Sequence, residues 1–188
     1  MRVVLLASGS GSLAQSIIDA TKSGKLEIEI ISLVSDKESG ALNRATESGI
    51  KTKFLPMKDD RALWDHDLFS YIENLNPDLV ISVGFMRILA PDFVAKFPTV
   101  NTHPALLPNF PGAHAVRDAL AAGATTSGST VHWVDAGIDT GPIIAQREVT
   151  VLPGDDEESL HERIKIAERE LIVETIQSFV LNGIPGRN

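Results

Sequence analysis

The chain contains no cysteine, so disulfide bridges and thiolate chemistry are both excluded. No apolar run approaches the ~20 residues that a membrane-spanning helix needs, which argues against a membrane partner. Basic residues are the minority, with 17 Lys and Arg against 25 Asp and Glu and a net charge of −8. The basic residues are scattered, and nucleic-acid binding through a broad basic face, which needs clustered Lys and Arg, is not expected. A small anionic ligand is compatible with this balance, because it needs one local site rather than a positive surface. The five histidines, His66, His103, His114, His132 and His161, show no HxxxH pairing, so no metal is expected. The N-terminus reads as a first strand that turns at Ser8-Gly9 and not as a signal peptide. A cytoplasmic location is the corresponding expectation.

What is present is an ordinary globular balance: 188 residues, 43% hydrophobic and 22% charged. That length suits one domain with a single core, and no linker, repeat or low-complexity segment interrupts residues 1–188. Short apolar runs at 3–7, 28–34, 51–55, 79–83 and 99–102 alternate with helical patterns near 12–23, 41–48, 62–75 and 91–96. Strands such as Ile28-Glu29-Ile30-Ile31-Ser32-Leu33-Val34 are nearly continuous in apolar residues, as in a parallel sheet covered on both faces. The alternation predicts an α/β fold with a Rossmann-like, doubly wound, mostly parallel sheet. After Asn101 the texture changes. A proline-rich loop covers 103–112, two further strands are expected at 126–134 and 142–149, and a long helix runs from about 156 to 181. Asp155 and Glu158 suggest its capping box, Gly183 its stop, and Leu160, Ile164, Ala167 and Leu171 its core-facing stripe.

Four segments carry chemistry. Gly9-Ser10-Gly11-Ser12-Leu13-Ala14 follows the first strand and opens a helix, whose N-terminus offers unpaired N–H groups to an anion. The same residues fit a dinucleotide fingerprint, with Asp36 placed where a ribose-binding acid would sit; a plain strand-to-helix turn is the third reading. Asn101 and His103 end a buried strand and, two residues apart, point to the same side. Asn can donate to a developing oxyanion and His can transfer a proton near neutral pH, although a histidine here can also merely tie down the proline-rich loop. Asp135-Ala136-Gly137-Ile138-Asp139-Thr140-Gly141-Pro142 supplies two acids, either of which can orient an imidazole, and spacing does not choose between them. Gly84-Phe85-Met86-Arg87-Ile88-Leu89 is either core or a pocket wall for a flat heterocycle.

His132 reads as a core histidine, and His114 is left without a role. Glu168 lies four residues from both Ile164 and Ile172, so its charge leans toward the apolar stripe, as a snorkelling border residue or as a group reaching into a cleft.

In order and separation, these segments together with Pro104-Ala105-Leu106-Leu107-Pro108 and Pro111-Gly112 resemble the glycinamide ribonucleotide transformylases over essentially the whole chain. The resemblance implies a single formyltransferase-fold domain with a C-terminal strand pair and long helix. Its substrates would be small molecules, 10-formyltetrahydrofolate and glycinamide ribonucleotide, without a metal. Gly11, Ser12 and Leu13 would bind the ribonucleotide phosphate; Leu13 departs from the Asn common in the family, a change that binding through backbone N–H groups survives. Glu168 would meet the ribose hydroxyls. Arg61, Met86, Arg87, Ile88, Leu89 and Asn101 would hold the folate. Asn101, His103 and Asp139 would form the catalytic trio, which is what selects Asp139 over Asp135.

Methionyl-tRNA formyltransferase, formyltetrahydrofolate deformylase and sugar-amine formyltransferases share this chemistry. The first two are expected to carry an additional C-terminal or N-terminal domain. A non-catalytic nucleotide-binding Rossmann protein explains the glycine loop and Asp36 but leaves His103 and Asp139 without purpose. Either a monomer or a homodimer fits the sequence.

Overall fold

The computed structural model describes residues 1–186, so the last two positions of the expected 1–188 domain lie outside the described residues. Among the described residues, seven strands form one sheet, in which the third, second, first, fourth, fifth, sixth and seventh strands of the chain lie side by side in that order. The chain divides by its contacts into two compact units, Met1–Val100 and Asn101–Asn188.

The first unit contains β1 (Arg2–Leu6), α1 (Ser12–Lys22), β2 (Glu29–Ser35), α2 (Gly40–Glu47), β3 (Thr52–Phe54), α3 (Arg61–Leu75), β4 (Leu79–Ser82) and α4 (Pro91–Lys96). β1 pairs in parallel with β2 and β4, and β2 with β3. Val3 to Ala7 and Leu79 to Ile81 are fully buried, the two-faced cover that their unbroken apolar runs imply. α1 places Ala14, Ile17 and Ile18 on one buried face, a spacing of three and four residues that follows the helical period. The order 3-2-1-4 reverses direction between β1 and β4. In doubly wound sheets ligands bind beyond the carboxyl ends of the strands at that reversal. Here those ends carry the loop Ser8–Gly11 and the segment Val83–Leu89.

β5 (Thr99–His103) crosses into the second unit, which continues with α5 (Ala115–Ala121), β6 (Thr126–Trp133), β7 (Ile143–Thr150) and α6 (Glu157–Asn182). β6 and β7 pair antiparallel, with a register shift between Val131 and His132. Leu160, Ile164, Ala167 and Leu171 of α6 are buried as the stripe requires, and Trp133 of β6 stacks on Phe179 at 5.9 Å. Each fully buried Leu or Ile of this kind contributes about 1.5–3 kcal/mol relative to exposure. Among the described residues, no helix is long and apolar enough to cross a membrane.

One local expectation is corrected. The helix cap is Asp156 and not Asp155: its side chain accepts the Ser159 N–H at 2.8 Å, and the Ser159 hydroxyl accepts the Asp156 N–H at 3.0 Å. Asp155 is instead engaged by the Arg163 guanidinium. The helix start expected near His114 is met by α5, whose seven residues begin directly after it.

Candidate functional site

In the first unit, Gly11 caps α1 with φ 78, and a Cβ at this position would lie 2.5 Å from Ala41 Cα. Both the left-handed backbone and the close helix approach require glycine. The first intrahelical bond is Gln15 N–H to Gly11 O at 2.8 Å, so the N–H groups of Ser12, Leu13 and Ala14 precede the helical ladder and point outward from its positive end. No acidic side chain sits in the first turn to compete with an anion there. α2 braces the loop, through Ala41 N–H to Gly9 O at 3.2 Å and Arg44 Nε to Ser10 O at 3.0 Å.

Asp36, the acid that would serve a dinucleotide ribose, is buried and engaged elsewhere. It accepts the Ser8 hydroxyl at 2.5 Å and Arg87 Nε at 2.6 Å. Those contacts remove the feature that favoured the dinucleotide reading. Beyond β4, Met86 and Ile88 are exposed by 64% and 55% while Phe85 and Leu89 are buried, so the segment presents two open apolar side chains above an anchored base. Arg61, on the first turn of α3, donates Nη2 to Ile88 O and Nε to Asp65 at 2.8 Å.

The second unit brings four of its polar side chains into a linked cluster. Asp139 Oδ2 lies 3.3 Å from His103 Nδ1, and Oδ1 lies 3.5 Å from His132 Nε2. Asn101 Nδ2 lies 3.2 Å from the same His132 nitrogen. The remaining ring nitrogens face carbonyls, His103 Nε2 at 2.8 Å from Phe110 O and His132 Nδ1 at 2.8 Å from Trp133 O. Asp139 also accepts the Gly112 N–H at 2.8 Å, and it adopts φ 54, a left-handed conformation that Asp tolerates better than most residues.

Burial opposes ionisation of Asp139. The hydrogen bond to His132, the Gly112 N–H and the nearby His103 outweigh it, and its pKa lies below the ordinary carboxylate value. Asp135 turns inward to its own loop, accepting the Gly137 N–H at 3.0 Å and the Thr140 hydroxyl at 2.8 Å. The two acids that spacing could not separate are thus separated by geometry.

Glu168 is 8% exposed, a buried carboxyl and not a snorkelling border residue. Burial pushes its pKa up to about 7, against a Thr102 hydroxyl bond and the charges of Lys165 and Arg169. His132 is buried, as a core histidine would be, but its outer nitrogen belongs to the cluster; local sequence pattern gives no signal for that. His114 is exposed and stands at the N-cap of α5 without a side-chain capping bond. Among the described residues, no group of three or more His, Cys, Asp or Glu is arranged to hold a metal ion.

The family model described as formyl transferase matches residues 1–176. The chain belongs to the formyl transferase family. It is 48% identical over 187 residues to the phosphoribosylglycinamide formyltransferase of Mycobacterium tuberculosis, covering 97% of this chain and 86% of the relative. It is 39% identical over 176 residues to the phosphoribosylglycinamide formyltransferase of Escherichia coli K12, covering 91% and 83%. The crystal structure of glycinamide ribonucleotide transformylase 1 from Symbiobacterium toebii superposes with a TM-score of 0.94 at 36% identity, over 100% of this chain and 92% of that one. The Rossmann-like reading of the sheet and the formyltransferase fold expected from the sequence are both met by these relatives.

Proposed function

We propose that this chain transfers the formyl group of 10-formyltetrahydrofolate to the amine of glycinamide ribonucleotide, a step of de novo purine biosynthesis. The observation that carries the reading is the linked Asn101–His132–Asp139–His103 cluster in a member of the formyl transferase family. The relatives' names support formyl transfer to the same ribonucleotide acceptor.

The amine nitrogen attacks the formyl carbon and a tetrahedral intermediate forms. The bond from that carbon to N10 then breaks, one proton leaves the amine and one arrives at N10, giving the formylated ribonucleotide and tetrahydrofolate. Asn101 and His103 hydrogen-bond the oxyanion. His103 assists proton transfer to the leaving nitrogen, and acid–base assistance of this kind is worth about 10²–10⁴ in rate. To reach the oxyanion, His103 Nε2–H exchanges the Phe110 carbonyl for the substrate oxygen. Asp139 stays ionised at neutral pH and orients the ring. Holding two reactants in register supplies much of the remaining acceleration. The inventory of protons closes on these side chains, with no covalent enzyme intermediate and no metal required.

Gly11, Ser12 and Leu13 take the phosphate through backbone N–H groups, for which the Leu13 side chain is immaterial. Glu168 accepts the ribose hydroxyls. Arg61, Met86, Arg87, Ile88, Leu89 and Asn101 hold the folate, with the exposed apolar pair at 86 and 88 against the pterin. Residues 1–188 work as a single formyltransferase domain, as a monomer or homodimer in the cytoplasm, without a nucleic-acid or membrane partner; the net charge of −8 supports the exclusion of nucleic acid.

The test is direct. Purified protein is incubated with 10-formyltetrahydrofolate and glycinamide ribonucleotide, and release of tetrahydrofolate is followed. Formation of both products is expected, and a rate no higher than the enzyme-free control would sink the assignment.

A further inference from the structure

The carboxyl group of Asp36 lies at the end of β2 with its side chain fully shielded from solvent. Its two donors belong to the two segments that flank the reversal of the sheet between β1 and β4. Ser8 opens the phosphate loop, and Arg87 is the charged residue within Met86–Leu89. Ser8 makes two further bonds to the same region: its N–H donates to Gly84 O at 3.0 Å, and its hydroxyl accepts the Met86 N–H at 2.9 Å. Arg61 holds Ile88 O from the other side. The backbone from Gly84 to Ile88 is therefore fastened at three points, while the Met86 and Ile88 side chains remain open.

A buried carboxylate is costly unless it is paired and hydrogen-bonded. The pairing with Arg87 therefore fixes where that arginine lies. The Ser8 hydroxyl couples the same carboxylate to the Met86 amide, because a hydroxyl that donates to one partner can accept from another. Charge-assisted bonds of this type are short and directional, which suits a support that must hold a binding surface in place.

We propose that Asp36 is a positioning residue for the formyl donor. Through Arg87 and Ser8 it fixes Met86–Leu89 as a preformed wall for the flat ring of the folate and ties that wall to the start of the phosphate loop. It sets affinity for the folate and not the rate of the chemical step. This inference rests on the reading of Met86–Leu89 as the folate segment given above.

The experiment compares steady-state formyl transfer and thermal unfolding for the wild type, Asp36→Asn, Arg87→Met and the double variant. Asp36→Asn keeps the shape and an acceptor for Ser8 but loses the ion pair. The expected result is a KM for 10-formyltetrahydrofolate raised about tenfold, the scale of one hydrogen bond to a charged group, with kcat changed by less than about threefold. The double variant should be no worse in folate KM than Arg87→Met alone, because residues acting through one interaction are non-additive. An unchanged folate KM in Asp36→Asn, a loss confined to kcat, or additive losses in the double variant would each overturn the proposal.

Should Asp36→Asn fail to fold, Ser8→Ala provides the second arm. It keeps the ion pair and removes the hydroxyl bridge, and a folate KM raised about threefold to tenfold is expected from the lost bonds. An unchanged value overturns the proposal here too. Inactive wild-type protein would sink the proposed function, and this inference with it; active wild type with a silent Asp36 overturns this inference alone.

Discussion

His103 has both ring nitrogens directed at oxygen acceptors, Nδ1 at the Asp139 carboxylate and Nε2 at the Phe110 carbonyl. Both can donate only when the ring carries two protons, the form from which a proton can be passed to a departing nitrogen. Replacing His103 or Asp139 by Ala is therefore expected to lower kcat by about 10²–10⁴ while the protein remains folded. Single-turnover formyl transfer, with circular dichroism to check the fold, makes the measurement; near-normal turnover in either variant would refute the assigned role. This part of the site was half legible in the sequence. Asn101 and His103 follow from two residues on one side of a strand end. The acid does not, because Asp135 and Asp139 share one loop and only the folded loop shows Asp135 turned to Gly137 and Thr140. His132 was invisible as a site residue, since its place beside Asn101 depends on how separate strands register and not on any local pattern.

At the scale of elements, α6 shows what local pattern can and cannot fix. Its apolar stripe follows from periodicity and is buried as written, and Gly183 ends it. The start was offset by one residue because Asp155 and Asp156 are adjacent and both suit an N-cap. The side chains decide: Asp156 and Ser159 exchange two bonds that satisfy donors at the helix start, whereas Asp155 serves Arg163. Asp156→Ala is expected to lower Tm by roughly 2–4 °C, the effect of a lost cap in a chain of this size. Differential scanning calorimetry reads this, and a Tm equal to the wild type would show that the cap is not formed. The parallel strands of the first unit were legible because a two-faced burial demands unbroken apolar runs. β3 is only three residues long, shorter than the apolar run 51–55, since an edge strand of that size has little pattern to delimit it.

Across the whole molecule the titrating groups act in opposite directions, and their signs set how stability depends on pH. Asp67, Asp139, Asp155, Asp156 and Glu162 all lie below their ordinary values; hydrogen bonds hold each of them there against desolvation, joined by nearby cationic groups in every case but Asp156, whose Ser159 bonds act without a cation and against the charge of Asp155. Their contribution is present above the unfolded carboxylate values and is lost as pH falls through the folded ones, so the molecule weakens in acid. Glu168 runs the other way, its pKa pushed by burial from 4.5 to about 7. Its contribution is complete below 4.5 and is lost as pH rises through about 7, because the ionised form must then be kept out of water. His161, half-buried and lowered from 6.5 chiefly by desolvation, loses stability in its charged form as pH falls below 6.5. It therefore opposes Glu168 over part of the same window, and a wild-type profile alone mixes the two. The difference between wild type and Glu168→Gln cancels His161 and the acid-range carboxylates, leaving the one buried glutamate. The stability of Glu168→Gln relative to wild type is expected to grow by on the order of 1–3 kcal/mol between pH 5 and pH 8. Urea unfolding at the two pH values measures it. A difference that stays flat across that range would mean that Glu168 is hydrated or paired in the folded protein, and its readiness to meet a ribose hydroxyl would need another basis.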